Sequence, residues 1–349
     1  MRKFDYSFLN SGLLPANLLN LITDIYAVKA MVTARKEDSD KAFLKLEADA
    51  RMQSVKYANA LAGIVTSDVR LREIVTQNSD CRNCNEAEIA GYRNALQAIQ
   101  KNYVHMDFSS DELRKLHEIL FSFVEGKTDG RYRTQDGVGI GFQPENSRGN
   151  RFYLTPVSEA GEAVKQLELA YKEAIGNGET NPLLLIPCVV LDFLCLHPFE
   201  YGNVRMSRLL CALLLFQNGF DVGKYAALEE VFSRDKSDYD EAFHQSSIGW
   251  ESGNNDYFPF VQNFLSALQS CYQKLRESLA GETGRRLTKK ERIEQTVLGS
   301  SVPISKADIC KMLPDVSPTT IEAVLGNMMR EQTIRRLGAA RNTKYIKSK

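Results

Sequence analysis

The sequence of 349 residues has no excess of either charge: 44 Lys and Arg residues balance 44 Asp and Glu residues. That balance excludes a chain whose whole surface tracks nucleic acid or acidic lipid. There is also no apolar run close to the ~20 residues that cross a bilayer. The opening residues, MRKFDYSFLNSGLL, are too polar for the apolar region of a signal peptide. Histidine is scarce, at four residues. The seven cysteines, Cys81, Cys84, Cys188, Cys195, Cys211, Cys271 and Cys310, are odd in number and lie mostly in apolar helical contexts. They read as reduced thiols, which points to the cytoplasm. Cys81 and Cys84 form a lone C-x-x-C. Zinc would need two further ligands and no second pair is near, so the spacing reads as an accident of a loop.

Most of the chain carries the spacing of helices. Residues 14–32, 110–126 and 159–175 repeat apolar side chains every three or four positions, which predicts amphipathic helices. Residues 182–197, PLLLIPCVVLDFLCLH, are apolar almost all round, as a central core helix is. Pro182 suits its first turn, and Pro187 predicts a mild kink. The segment 136–156, DGVGIGFQPENSRGNRFYLTP, is instead rich in Gly, Asn and Pro between short β-prone ends. It reads as a β-hairpin with a long tip, or as a surface loop.

The charged run LAGETGRRLTKKER, 279–292, reads as a linker. Three helical segments and two short strands about a Gly turn follow it. Helix, helix, helix, hairpin is the order of a winged helix-turn-helix. Basic residues dominate from Arg285 onward, among them Arg330, Arg335, Arg336, Arg341, Lys344 and Lys347. Two readings stand. One is contact with a DNA backbone, with the third helix in the major groove. The other is a protein-interaction wing with a solvated basic face.

The chemistry concentrates in LHPFEYGNVRMSRLL, 196–210. A Gly-Asn turn that feeds a helix presents backbone N–H groups and the positive end of the helix dipole, a place for a phosphate. The nest consists of the N–H groups of Gly202, Asn203 and Val204. Arg205 and Arg208 lie one turn apart on the same face and add forked donors. His197 precedes the nest and can act as a base at neutral pH. His105, His117 and His244 have no such setting and receive no catalytic role.

This segment resembles the Fic family, whose motif is H-x-F-x-D/E-G-N-G-R-x-x-R; here it reads HPFEYGNVRMSR. Further blocks are similar to the family: SVKYANALAGIVTSDVRLREIV (54–75), EIAGYRNAL (88–96), GRYRTQ (130–135), FYLTP (152–156) and 246–265. The resemblance implies a mainly α fold with a Fic-type helical core, a β-hairpin flap and a C-terminal winged helix-turn-helix. The divisions expected are an N-terminal helical region over 1–100 with a degenerate inhibitory segment, a catalytic core over 101–278 with its flap at 136–156, a linker at 279–291 and a winged helix over 292–349. The activity implied is that of a nucleotidyltransferase moving AMP from ATP, with Mg²⁺, to a Tyr, Thr or Ser hydroxyl of a target protein held at the flap. By the same resemblance His197 takes the hydroxyl proton, Gly202, Asn203 and Val204 hold phosphate, Arg205 holds the β-phosphate region and Arg208 the γ-phosphate. Asn203 could add a side-chain bond to phosphate.

Three positions depart from the family. Tyr201 stands at the acidic Mg²⁺ ligand, and a phenol is a poor ligand for a hard cation. Val204 replaces the second motif glycine: at positive φ a β-branched residue there is strongly disfavoured, and at negative φ it merely crowds the site. Ala62 occupies the place of the inhibitory Glu that pairs with the second motif arginine, here Arg208. Autoinhibition and AMP removal through that Glu are therefore expected to be absent. These departures leave an alternative: a catalytically inactive nucleotide-binding or DNA-linked regulatory protein of the same fold.

Overall fold

The computed structural model describes residues 2–11, 13–35, 40–126, 130–136, 138–140, 151–153, 155–281, 288–300, 302–338 and 343–348. Among these the chain is mainly helical. Helix α1 (Ala16–Arg35) buries Leu18, Ile22, Ile25, Val28 and Val32, the three- and four-residue stripe expected of it. It packs along α11 (Phe258–Gly281). Helices α2 (Asp40–Leu61), α3 (Asp68–Gln77), α4 (Cys84–Asn102) and α5 (Ser110–Leu120) follow. Ser67, Asn83 and Ser109 start α3, α4 and α5 by accepting a first-turn N–H, as good N-caps do. Two short strands, β1 (Val138–Ile140) and β2 (Arg151–Tyr153), pair antiparallel. The tip expected between them, 141–150, lies outside the described residues.

After α6 (Val157–Gly176) comes α7 (Pro182–Leu196), the centre of the molecule. Every residue of α7 from Leu183 to Leu196 is buried. Asn181 caps it, Pro182 occupies its first turn and Pro187 sits inside it. Packed against α7 is α8 (Asn203–Gln217). Helices α9 (Leu228–Arg234) and α10 (Lys236–Ser247) lead to α11.

Buried Asp192 on α7 fastens the N-terminal segment to this core. Tyr6 Oη donates to it at 2.7 Å, Trp250 Nε1 at 2.7 Å and Tyr257 Oη at 2.9 Å. Arg2 stands 3.8 Å away and lies over the Trp250 ring. Burial pushes the Asp192 carboxyl up, against the pull of Arg2 and the three donors. Asp192→Ala strands those donors and is expected to cost about 3 kcal/mol of stability. Denaturant unfolding followed by the fluorescence of Trp250 measures this. A loss below about 1 kcal/mol would mean that the three bonds are dispensable.

Residues 282–287, which include Arg285, and residues 339–342, which include Arg341, lie outside the described residues. A second unit begins at α12 (Lys289–Leu298), where Thr288 and Glu291 form a capping box. It continues through β3 (Ile304–Ser305), α13 (Lys306–Met312), α14 (Pro318–Arg330), β4 (Ile334–Leu337) and β5 (Lys344–Lys347). The three strands form an antiparallel sheet in the order β3-β5-β4. Ile293, Val297, Ile309, Ile321, Leu325 and Ile334 form a core separate from that of α1–α11. Lys56 on α2 joins the two units, bonding Asp68 at 2.6 Å and the Gly299 carbonyl at 2.5 Å. Among the described residues no helix is long and apolar enough to cross a membrane.

Candidate active site

Helix α7 ends at Leu196, and His197 takes the left-handed conformation at φ 49° while its N–H closes on Phe193 O at 3.1 Å. That bend turns the chain toward α8. Arg133 holds it from the side: its Nε donates to His197 O at 3.1 Å and its backbone N–H to Pro198 O at 2.9 Å. Arg133 also donates to Thr155 O, so one guanidinium ties the His197 turn to the chain on both sides of the β1–β2 pair. The His197 imidazole is largely enclosed. Burial and the neighbouring Arg133 cation lower its pKa to about 4, against a hydrogen bond toward the Leu194 carbonyl. The ring is therefore neutral at physiological pH, the state a general base needs.

Phe199 is fully buried between the rings of His117, 4.2 Å away, and Tyr132, 5.3 Å away. The turn that follows is closed by Asn203. Its Nδ2 donates to Phe199 O at 2.7 Å and its Oδ1 accepts from Phe199 N at 2.9 Å. The Asn203 side chain is thus committed to the loop, and what it offers a ligand is its backbone N–H. Gly202 stands at φ 77°, and a Cβ there would fall 2.8 Å from the Phe121 ring. Only glycine meets both conditions. No side chain caps α8, so its first-turn N–H groups have no intrahelical acceptor.

Val204 is the second residue of α8, and it is not among the residues with positive φ. Of the two cases open for it, the helical one holds: its Cβ crowds the turn without straining it. Tyr201 is 51% exposed. Glu200 is also exposed, and its Oε2 accepts from Thr134 N at 3.4 Å. Ala62 is exposed in the turn after α2. The segment 54–64 reaches the site through Asn59 instead, whose Oδ1 accepts from Arg205 at 3.3 Å.

The two motif arginines are both buried and differ in their partners. Arg205 is paired with Glu88 of α4, donates also to the Glu88 carbonyl at 3.4 Å and lies over Phe121. Arg208, 3% exposed, lies 4.6 Å from the Phe232 ring centre and 4.5 Å from that of Tyr239. No carboxylate pairs with it among the described residues, and its Nε and one terminal nitrogen have no acceptor. A buried cation with idle donors is costly unless an anion completes it. Glu88, Asn59, Arg133, Phe232 and Tyr239 had no signal in the motif. Asn59, Glu88 and Arg133 lie in blocks that resemble the family, and that was the only pointer to them.

The Fic/DOC family profile matches residues 107–215, which contain His197, the turn and α8. A Fido domain-containing protein of Dictyostelium discoideum is 24% identical over 156 residues, 41% of this chain and 95% of that protein. A Fic family protein of Desulfovibrio desulfuricans has a similar structure, with a TM-score of 0.61 at 19% identity over 97% of both chains. A Fic domain-containing signaling protein of Bacteroides thetaiotaomicron matches with a TM-score of 0.61 at 16% identity, over 78% of this chain and all of that one. The chain has the fold of Fic proteins.

Proposed function

We propose that the protein binds ATP at the start of α8 and transfers AMP to a hydroxyl of a target protein. The observation that carries this reading is Arg208, a buried guanidinium with idle donors one helical turn beyond an uncapped helix start. That is the arrangement for a polyphosphate. The N–H groups of Gly202, Asn203 and Val204 take one phosphate and Arg208 the terminal one. Arg205, already paired with Glu88, adds a single free Nε donor. Neutral His197 takes the proton of the target hydroxyl. The hydroxyl oxygen bonds the α-phosphorus, the α–β bridging bond breaks, and pyrophosphate leaves with the electron pair. The target peptide lies along the β1–β2 pair, where a strand edge supplies main-chain bonds.

The side chains here do not fit the Mg²⁺ that the resemblance implies. A phenol stands at the acidic position, and the carboxylate beside it accepts a backbone N–H. No group of three or more potential ligands occurs among the described residues. Tyr201 therefore favours a second reading, nucleotide binding with little or no transfer. ATP labelled at the α-phosphate distinguishes the two. Label that enters a lysate protein, with none from γ-labelled ATP, supports transfer. ATP binding without labelling supports the second reading.

The C-terminal unit is proposed to be a winged helix. The exposed face of α14 offers Thr319, Glu322, Ala323 and Arg330, with Glu322 held by Lys306 at 2.6 Å. Such a face reads few bases, so any affinity for DNA rests on exposed basic side chains of the two strands, chiefly Arg335 and Arg336 of β4, with Lys344 and Lys347 of β5 beside them. Charge reversal at Arg335 and Arg336 in the full chain is expected to abolish salt-sensitive binding to duplex DNA. Binding that survives the reversal would remove β4 from the interface.

A further inference from the structure

Every peptide bond described is trans, and one of them decides how the phosphate nest opens. The Tyr201 carbonyl points at α5, where His117 Nε2 lies 3.1 Å from its oxygen. A carbonyl only accepts, so the His117 proton in this contact is on Nε2. The His117 ring is buried and lies flat on Phe199, with an interplanar angle of 14°. Its centre is 4.8 Å from that of Phe121, the ring that closes beneath Gly202. In a planar trans peptide the C=O and N–H point in opposite directions. Tying the Tyr201 carbonyl to α5 therefore turns the Gly202 N–H away from α5, toward the open start of α8. Glycine at φ 77° gives this peptide freedom to rotate that other residues lack. The His117 bond is what restrains it.

We propose that His117 is a positioning residue: it locks the 201–202 peptide so that the Gly202 N–H faces the phosphates of the bound nucleotide. This rests on the nucleotide reading above. A residue that only packs would serve through the stack on Phe199 alone. A positioning residue needs the proton on Nε2 as well, and the two roles separate by substitution. His117→Phe keeps a buried ring on Phe199 and removes the donor. His117→Gln places an amide N–H near the position of Nε2.

The test uses the full chain: ligand-free crystal structures of both variants and calorimetry with ATP. In His117→Phe the 201–202 peptide is expected to rotate, and ATP affinity to fall about tenfold, the loss of one charge-assisted donor. In His117→Gln the peptide is expected to keep its orientation, and affinity to return to within about threefold of wild type. An unrotated peptide in the Phe variant, or equal weakening by Phe and Gln, would overturn the proposal. Should the Phe variant fail to fold, His117→Asn takes its place, since its shorter amide falls at the Nδ1 position and cannot reach Tyr201 O. If wild type binds no ATP, the nucleotide reading fails, while the peptide orientation in the ligand-free crystals still decides the role of His117.

Discussion

His197→Ala is expected to reduce AMP transfer by about 10³-fold, the scale of a lost general base. ATP binding should change little, because the proposed reading gives the phosphates to α8 and Arg208 and leaves the imidazole for the target hydroxyl. The pH dependence carries the same signature. With the His197 pKa lowered to about 4 by burial and Arg133, the base is neutral above about pH 5. A rate limited by an ordinary histidine would fall below pH 6.5. Here the fall should come more than a unit lower. Transfer that persists in His197→Ala would assign the base elsewhere.

Tyr201→Asp is expected to raise transfer by about tenfold or more, and only when divalent metal is present. The change puts a carboxylate at an exposed position beside the α8 start. Val204→Gly is expected to add less. Val204 already has helical backbone angles, so glycine there gains space for phosphate but weakens the first turn of α8 by about 1 kcal/mol. A metal-dependent gain that vanishes on adding His197→Ala would tie it to the proposed chemistry. No gain in Tyr201→Asp would place the limit outside the metal position.

The helices were legible because their periods are local. The stripe of α1 and the all-round apolarity of α7 are written in adjacent turns, and the caps Asn181 and Ser317 stand next to the prolines that open α7 and α14. The reach of α5 was overestimated. Phe121 and Val124 continue its apolar spacing and are buried, yet the helix stops at Leu120, and Phe121 leaves it to pack beneath Gly202. Strand β3 was missed because two residues carry no alternation.

At the site, the turn, the helix start and the arginine pair could be read from spacing. What could not be read was pairing between distant residues. Glu88 meets Arg205 across 117 positions, and His117 meets Tyr201 across 84. The sign of φ at Val204 was also out of reach, since a glycine-to-valine change fits either answer until the helix start is located. Asn203 shows the opposite limit. Its residue type suits phosphate, and its side chain is spent on Phe199.

The central claim is that the idle donors of Arg208, its Nε and one terminal nitrogen, are kept for a nucleotide phosphate. Arg208→Met tests it, because methionine fills the space between Phe232 and Tyr239 and keeps favourable contact with both rings. Replacing Arg205 would be a poorer test, since it would strand Glu88. Titration calorimetry with ATP on wild type and Arg208→Met, with the melting temperature of each, is the decisive measurement. ATP affinity is expected to fall by about 100-fold or more while the melting temperature holds or rises, because a buried cation with two idle donors has been removed. Equal ATP affinity in the two proteins would contradict it.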